Sequence, residues 1–167
     1  MKRICLFLVS SFLMLGYQNS FANPEDISEI TEVLNKIEVK QLNSDEKFSL
    51  DQYKNKLILI DFWATWCKPC IESLPHLNEL QKTFPQQLKV IAISDENKTT
   101  VNKFLKDKNY KFTIVLDNND ISNNNFPHEY IPYSMLILPN GEIIDDLYQS
   151  QLTKEFIREI IDKHKIK

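Results

Sequence analysis

Along this chain, short continuous apolar runs alternate with stretches in which apolar residues recur every three or four positions. "KLILIDFW", Lys56 to Trp63, is an unbroken apolar run of strand length rich in β-branched and aromatic residues, the pattern of a central strand buried on both faces. After it Ile71, Leu74, Leu77 and Leu80 recur at three-residue steps, which predicts an amphipathic helix to about Phe84, with a kink at Pro75. "LKVIAIS" predicts a second buried strand, "TTVNKFLKDKN" a helix capped by Thr99 or Thr100, and "KFTIVLD" a third strand. Such a β-α-β-α-β order requires a sheet with helices packed on it, an α/β class. Further on, "YSMLIL", "PNGE" and "IIDDLYQ" predict a hairpin turning at Asn140-Gly141, and "TKEFIREIIDKHK" a closing amphipathic helix. Upstream, Glu25 to Asn35 is weakly helical, "IEVKQL" is expected as a strand, and "KFSLDQY" as a strand end with a short turn. The polar run from Asn118 has no pattern of its own and is expected as a loop.

The first residues follow a different rule. Lys2 and Arg3 precede an apolar run from Ile4 to Leu15, and Ser20-Phe21-Ala22 places small residues where a leader is cut. The run falls short of the ~20 apolar residues that span a bilayer, so residues 1–22 are expected to be a cleaved signal peptide and not an anchor. An uncleaved N-terminal membrane anchor is the alternative. Residues 23–36 then form an N-terminal extension and residues 37–167 the domain. The whole chain carries 20 basic and 23 acidic residues, and loss of Lys2 and Arg3 moves the net charge from −3 to about −5. With no basic stripe or arginine cluster, nothing here asks for nucleic acid. At 167 residues and 43% apolar composition, one domain with a real core is expected.

The leader takes Cys5 with it and leaves Cys67 and Cys70, two thiols in an exported, disulfide-permissive setting. They pair with each other or stay reactive. A structural staple closing so short a loop gains little from chain entropy. Placed where a strand ends and a helix begins, the first sulfur meets unpaired N–H groups and the positive end of the helix dipole, which favour a thiolate. Cys67 is therefore the expected nucleophile. Lys68 adds a nearby positive charge, and Pro69 suits a first helical turn because its missing N–H has no partner to lose. Cys70, further into that turn, is placed to attack a mixed disulfide on Cys67, which gives two-step exchange.

"FWATWCKPC", with Pro75 five residues on, resembles the active-site helix of the thioredoxin superfamily, and the W-A-T-W-C form is similar to the exported TlpA/ResA/DsbE group. Further matching stretches are "VIAISDE" and "IPYSMLILPNGEII", so the resemblance covers most of the domain. It implies a thioredoxin fold, a central mixed β-sheet flanked by α-helices, with an insertion-like segment near residues 95–126. It also implies a thiol–disulfide oxidoreductase, in this group mostly a reductase of exported proteins, often in cytochrome c maturation. Its partners would be exported substrates with cysteines and a membrane electron donor of the DsbD/CcdA type; a monomer is expected, with no cofactor beyond the dithiol. Pro132 matches the cis-proline of the family, Ile131 the residue whose backbone meets a substrate strand, and Trp66 a surface contact beside the nucleophile. With Lys68 and Pro69 these form the expected substrate contacts. Asp61 matches the buried carboxylate behind the second cysteine, where burial raises its pKa and lets it take a proton from Cys70.

Two positions depart from the family pattern. Ser73 stands where the group commonly has a glutamate, with Glu72 one place earlier on another helix face, and Tyr130 replaces a glycine two residues before Pro132. Trp63 is expected in the core, and His76, His128 and His164 as scattered, solvated side chains. The competing class is thiol-based copper binding or transfer on the same fold, although such proteins use three residues between their cysteines and a distant histidine. Structural zinc lacks its four ligands. A peroxidase reading fails at Ala64, where a threonine is expected three residues before the reactive cysteine.

Overall fold

The computed structural model describes residues 40–41, 50–117 and 128–167. The leader and extension expected over residues 1–36, the flanks of the expected strand "IEVKQL", and the loop from Asn118 to Pro127 lie outside them. Six strands form one sheet among the described residues: β1 Lys40–Gln41, β2 Leu57–Phe62, β3 Leu88–Ser94, β4 Thr113–Leu116, β5 Tyr133–Ile137 and β6 Ile143–Leu147, in the order β1-β4-β3-β2-β5-β6. Among the described residues are also three helices, α1 Lys68–Thr83 between β2 and β3, α2 Lys98–Leu105 between β3 and β4, and α3 Lys154–Lys163 after β6. A 3-10 turn, Leu50–Tyr53, forms the short turn expected in "KFSLDQY", whose first residues lie outside the described ones. β2, β3 and β4 are parallel neighbours, while β5 runs antiparallel to β2 and β6 to β5. The sheet is therefore mixed, as the fold class implies.

Alternation within the strands sorts the core into two faces. Leu57 and Leu59 of β2, Val90 and Ala92 of β3 and Leu136 of β5 share one cluster with Leu74, Leu77 and Leu80 of α1, Val101 of α2 and Ile157 of α3. Ile58, Ile60, Phe62, Ile91, Ile93 and Met135 form the other. The steps β2→β3→β4 run the same way across the sheet, so right-handed crossovers bring α1 and α2 to the same face. The segment after residue 95 thus contributes α2 and β4, which widen the sheet beyond β3.

Local chemistry sets the boundaries. α1 continues unbroken through Pro75, which is exposed. α2 is capped by Asn97 and not by Thr99 or Thr100: Asn97 Oδ1 accepts from the Thr100 amide at 2.9 Å and the Thr100 hydroxyl at 3.1 Å. α3 is capped by Thr153, whose hydroxyl accepts from the Phe156 amide at 3.1 Å. The β5–β6 hairpin turns through Pro139-Asn140-Gly141, with Gly141 at φ 85° donating to the Leu138 carbonyl at 2.7 Å; only glycine takes that dihedral without a steric penalty.

Candidate active site

β2 delivers the site. Asp61 lies on the face of β2 shared with Leu57 and Leu59, the face that α1 covers, while Phe62 ends the strand opposite Tyr133 of β5. The Trp63–Trp66 loop and the Ile131–Pro132 segment therefore lie at the same end of the central strands. Thr65 anchors the loop from below: its amide donates to Glu96 Oε2 at 2.5 Å and its hydroxyl to Glu96 Oε1 at 2.7 Å. One carboxylate beyond the end of β3 thus holds both polar groups of the residue two places before Cys67.

Cys67 is the N-cap of α1, with extended backbone (φ −83°, ψ 97°), and its sulfur accepts from the Cys70 amide at 3.2 Å. Pro69 falls in the first turn, where its missing N–H leaves nothing unpaired. The two cysteines are joined in a disulfide, with Cα atoms 5.3 Å apart. Cys70 is fully buried and Cys67 only 5% exposed, so the sulfur expected to attack is largely covered in the disulfide form. Lys68 is exposed and lies 3.8 Å from Glu72, which partly offsets its charge. Ser73 turns inward to donate to the Cys70 carbonyl at 2.7 Å. The glutamate of the family is replaced here by a hydroxyl that ties down the helix turn.

The Ile131–Pro132 bond is cis, and both residues are half-buried. A cleft of about 220 Å³ opens between this segment and the thiol loop, lined by Trp63, Trp66, Ile93, His128, Tyr130 and Ile131. Asp95 and Glu129 add carboxylates to its wall. Trp66 is 71% exposed and Trp63 is buried against Phe104, their ring centroids 5.4 Å apart. Lys68 and Pro69 do not line this cleft. His128 was expected to be solvated; instead its ring stacks on Tyr133 at 5.0 Å and approaches Phe62 at 4.5 Å, because the chain before Pro132 folds over the end of β2. Tyr130 fills the place of the family glycine, and its hydroxyl donates to Asp146 at 2.5 Å, which raises the phenol pKa.

Asp61 is wholly buried. Ser134, directly opposite on β5, donates its hydroxyl to Oδ1 at 2.6 Å, and the Gln149 amide donates to the same oxygen at 2.6 Å. Burial pushes the carboxyl up from 3.8 to about 7, with the Ser134 and Gln149 hydrogen bonds pulling the other way. Neither donor is among the residues expected from sequence. Ser134 left a trace, a polar residue two places before Leu136 on the same strand face. Gln149 left none, since it reaches Asp61 from a turn 88 residues away.

A sheet of this topology, with a C-x-x-C disulfide capping the helix that leaves its central strand and a cis-proline segment beside it, defines a thioredoxin-fold thiol–disulfide oxidoreductase. The chain belongs to the AhpC/TSA family, whose model matches residues 30–146. It is 30% identical over 171 residues to thiol-disulfide oxidoreductase ResA of Bacillus cereus, covering 97% of each chain. StoA of Bacillus subtilis superposes with a TM-score of 0.55 at 26% identity, over 73% of this chain and 98% of that one. A secreted Mycobacterium tuberculosis disulfide oxidoreductase homologous to E. coli DsbE shares the fold, with a TM-score of 0.63 at 17% identity over 77% and 98% of the two chains. Among the described residues, no group of three or more His, Cys, Asp or Glu side chains gathers as a metal site.

Proposed function

We propose that the protein reduces disulfides in exported proteins, apocytochrome c among them, by two-step exchange through Cys67 and Cys70. The observation that carries this reading is the position of the Cys67 sulfur as the cap of α1, where it accepts the amide of the buried Cys70. In the reduced protein that amide and the helix dipole stabilise a Cys67 thiolate. The thiolate attacks one sulfur of a substrate disulfide, and the other leaves as a thiolate that takes a proton from solvent. Asp61 accepts the proton of the Cys70 thiol, and the resulting thiolate attacks Cys67. The mixed disulfide breaks, the second substrate sulfur departs as a thiolate, and the Cys67–Cys70 disulfide forms. Two electrons pass from protein to substrate.

Trp66, Ile131 and Pro132 are assigned as substrate contacts because the first two line the cleft and the third follows it; Lys68 and Pro69 contribute through the helix terminus. The reducing direction rests on the resemblance to the TlpA/ResA/DsbE group, and with it a membrane electron donor of the DsbD/CcdA type. Export to the periplasm or cell envelope rests on the basic residues, apolar run and small residues within positions 1–22, with an uncleaved N-terminal anchor as the alternative; a monomer is the expected state.

Trapping in cells tests the reading. Cys70→Ser should leave Cys67 joined to its targets in reducible complexes with exported cysteine-containing proteins and a membrane donor, and Cys67→Ser should abolish them. A reduction potential near −270 mV would fit a reductant. One near −120 mV would overturn the direction, and adducts on Cys67→Ser alone would reverse the roles of the two sulfurs.

A further inference from the structure

The turn after β6 ties two parts of the site together. From one side Gln149 inserts its amide between β5 and the Asp61 carboxyl, donating to Asp61 Oδ1 at 2.6 Å and to Ser134 Oγ at 3.1 Å. From the other, His76 of α1, the helix that carries Cys70, holds the Leu152 carbonyl at 2.6 Å through Nε2. That oxygen can only accept, so Nε2 carries the proton. The turn is closed on itself by the Tyr148 amide on Gln151 Oε1 at 2.8 Å and the Gln151 amide on the Tyr148 carbonyl at 2.8 Å. Gln149 thus enters from a braced support, and it is half-buried where Asp61 is wholly buried.

Both donors to Asp61 use the same oxygen. Oδ2 is buried and has no hydrogen-bond partner among the described residues. We propose that Gln149 is a positioning residue for the exchange: carried in by the 148–152 turn, it fixes Asp61 through Oδ1 together with Ser134, so that the proton exchanged with the Cys70 sulfur resides on Oδ2. The inference rests on the role given to Asp61 above and adds the residue that orients it.

The surroundings leave few other agents. β3 places Ala92 beside Asp61, and β5 places Ser134. On the neighbouring segments α1 carries His76 and the exposed Lys68 and Glu72 beside the disulfide-bonded Cys67 and Cys70, β6 carries the exposed Asp146, and the turn carries Tyr148. No charged side chain is among the influences on the carboxyl, which are burial, Ser134 and Gln149. Loss of an amide that donates to the ionised form therefore has one direction: Asp61 holds its proton to higher pH.

The test uses the full chain and two readouts. Carboxyl carbon NMR of the oxidised protein, with Asp61→Asn to assign the signal, follows the Asp61 midpoint without any exchange reaction. Stopped-flow resolution of a mixed disulfide between Cys67 and a peptide, across pH, follows the chemistry. Gln149→Met, which keeps length and volume but removes the amide, should raise the midpoint by about one pH unit. It should slow resolution at pH 7 by roughly three- to tenfold and move its pH profile upward by the same interval, with mixed-disulfide formation unchanged. Ser134→Ala should shift both readouts in the same direction. Unchanged readouts in Gln149→Met would overturn the proposal. If the midpoint moves while resolution ignores both Gln149→Met and Asp61→Asn, the exchange role of Asp61 itself fails, and Gln149 remains only a packing partner.

Discussion

Asp61 shows how one residue carries opposite demands. Surrounded by Ile60 and Phe62 in the sequence, it was expected to be buried, and it is; nothing in those neighbours disclosed the two donors that make burial tolerable. Its raised pKa makes stability depend on pH in a defined sense. Below about pH 3 both folded and unfolded chains hold the proton. As pH rises from the unfolded value near 3.8 to the folded value of about 7, the unfolded chain releases its proton first, so stability falls across that window and then levels off. Asp61→Asn removes the loss. It should unfold at higher guanidinium concentration than the parent at pH 8, by roughly 2–4 kcal/mol, and within about 1 kcal/mol of it near pH 3.5. An equal gain at both pH values would show that the carboxyl is not the titrating group. The two sulfurs make a second residue-scale prediction. In the reduced protein Cys67, at the cap, should alkylate with iodoacetamide at least several-fold faster than the fully buried Cys70 at mildly acidic pH, as peptide mass spectrometry would read.

At the scale of elements, caps and clamps decide what periodicity leaves open. The spacing of Leu74, Leu77 and Leu80 disclosed α1 and its buried face, yet the start of the helix at Lys68 follows from Cys67 acting as its cap. Likewise α2 begins after Asn97 because a side-chain oxygen there reaches the Thr100 amide, a choice that two adjacent threonines obscured in the sequence. The thiol loop has no periodicity at all and depends on Glu96. Glu96→Ala would leave the Thr65 amide and hydroxyl without that acceptor in a half-buried site. The expected result is a loss of about 1.5–3 kcal/mol in chemical denaturation, with slower attack by Cys67 as its support loosens. A variant with parental stability and rate would mean that the loop is held elsewhere.

Across the described residues, one cluster joins α1, α2 and α3 to the sheet and includes both cysteines, so the redox site is built on the main core and not grafted onto it. Leu77→Ala, at the fully buried centre of α1, should cost about 2–5 kcal/mol, measured by the unfolding midpoint with buried Trp63 as the fluorescent reporter. A loss below about 1 kcal/mol would indicate that this face collapses around the gap. The sequence by itself determined the order of strands and helices, the apolar faces, the hairpin at Gly141 and the dithiol at a helix start, because each follows from local periodicity, a turn dihedral or a short spacing. Its resemblance to a family added the cis bond at Pro132 and the carboxyl at Asp61. Only the tertiary structure decided that Glu96 holds Thr65, that His128 stacks over the end of β2, and that Ser134 and Gln149 share one oxygen of Asp61. Those contacts join residues 31 to 88 positions apart, and a side chain's partner across such distances is chosen by strand register and by the path of the loops, neither of which leaves a mark in the neighbouring residues.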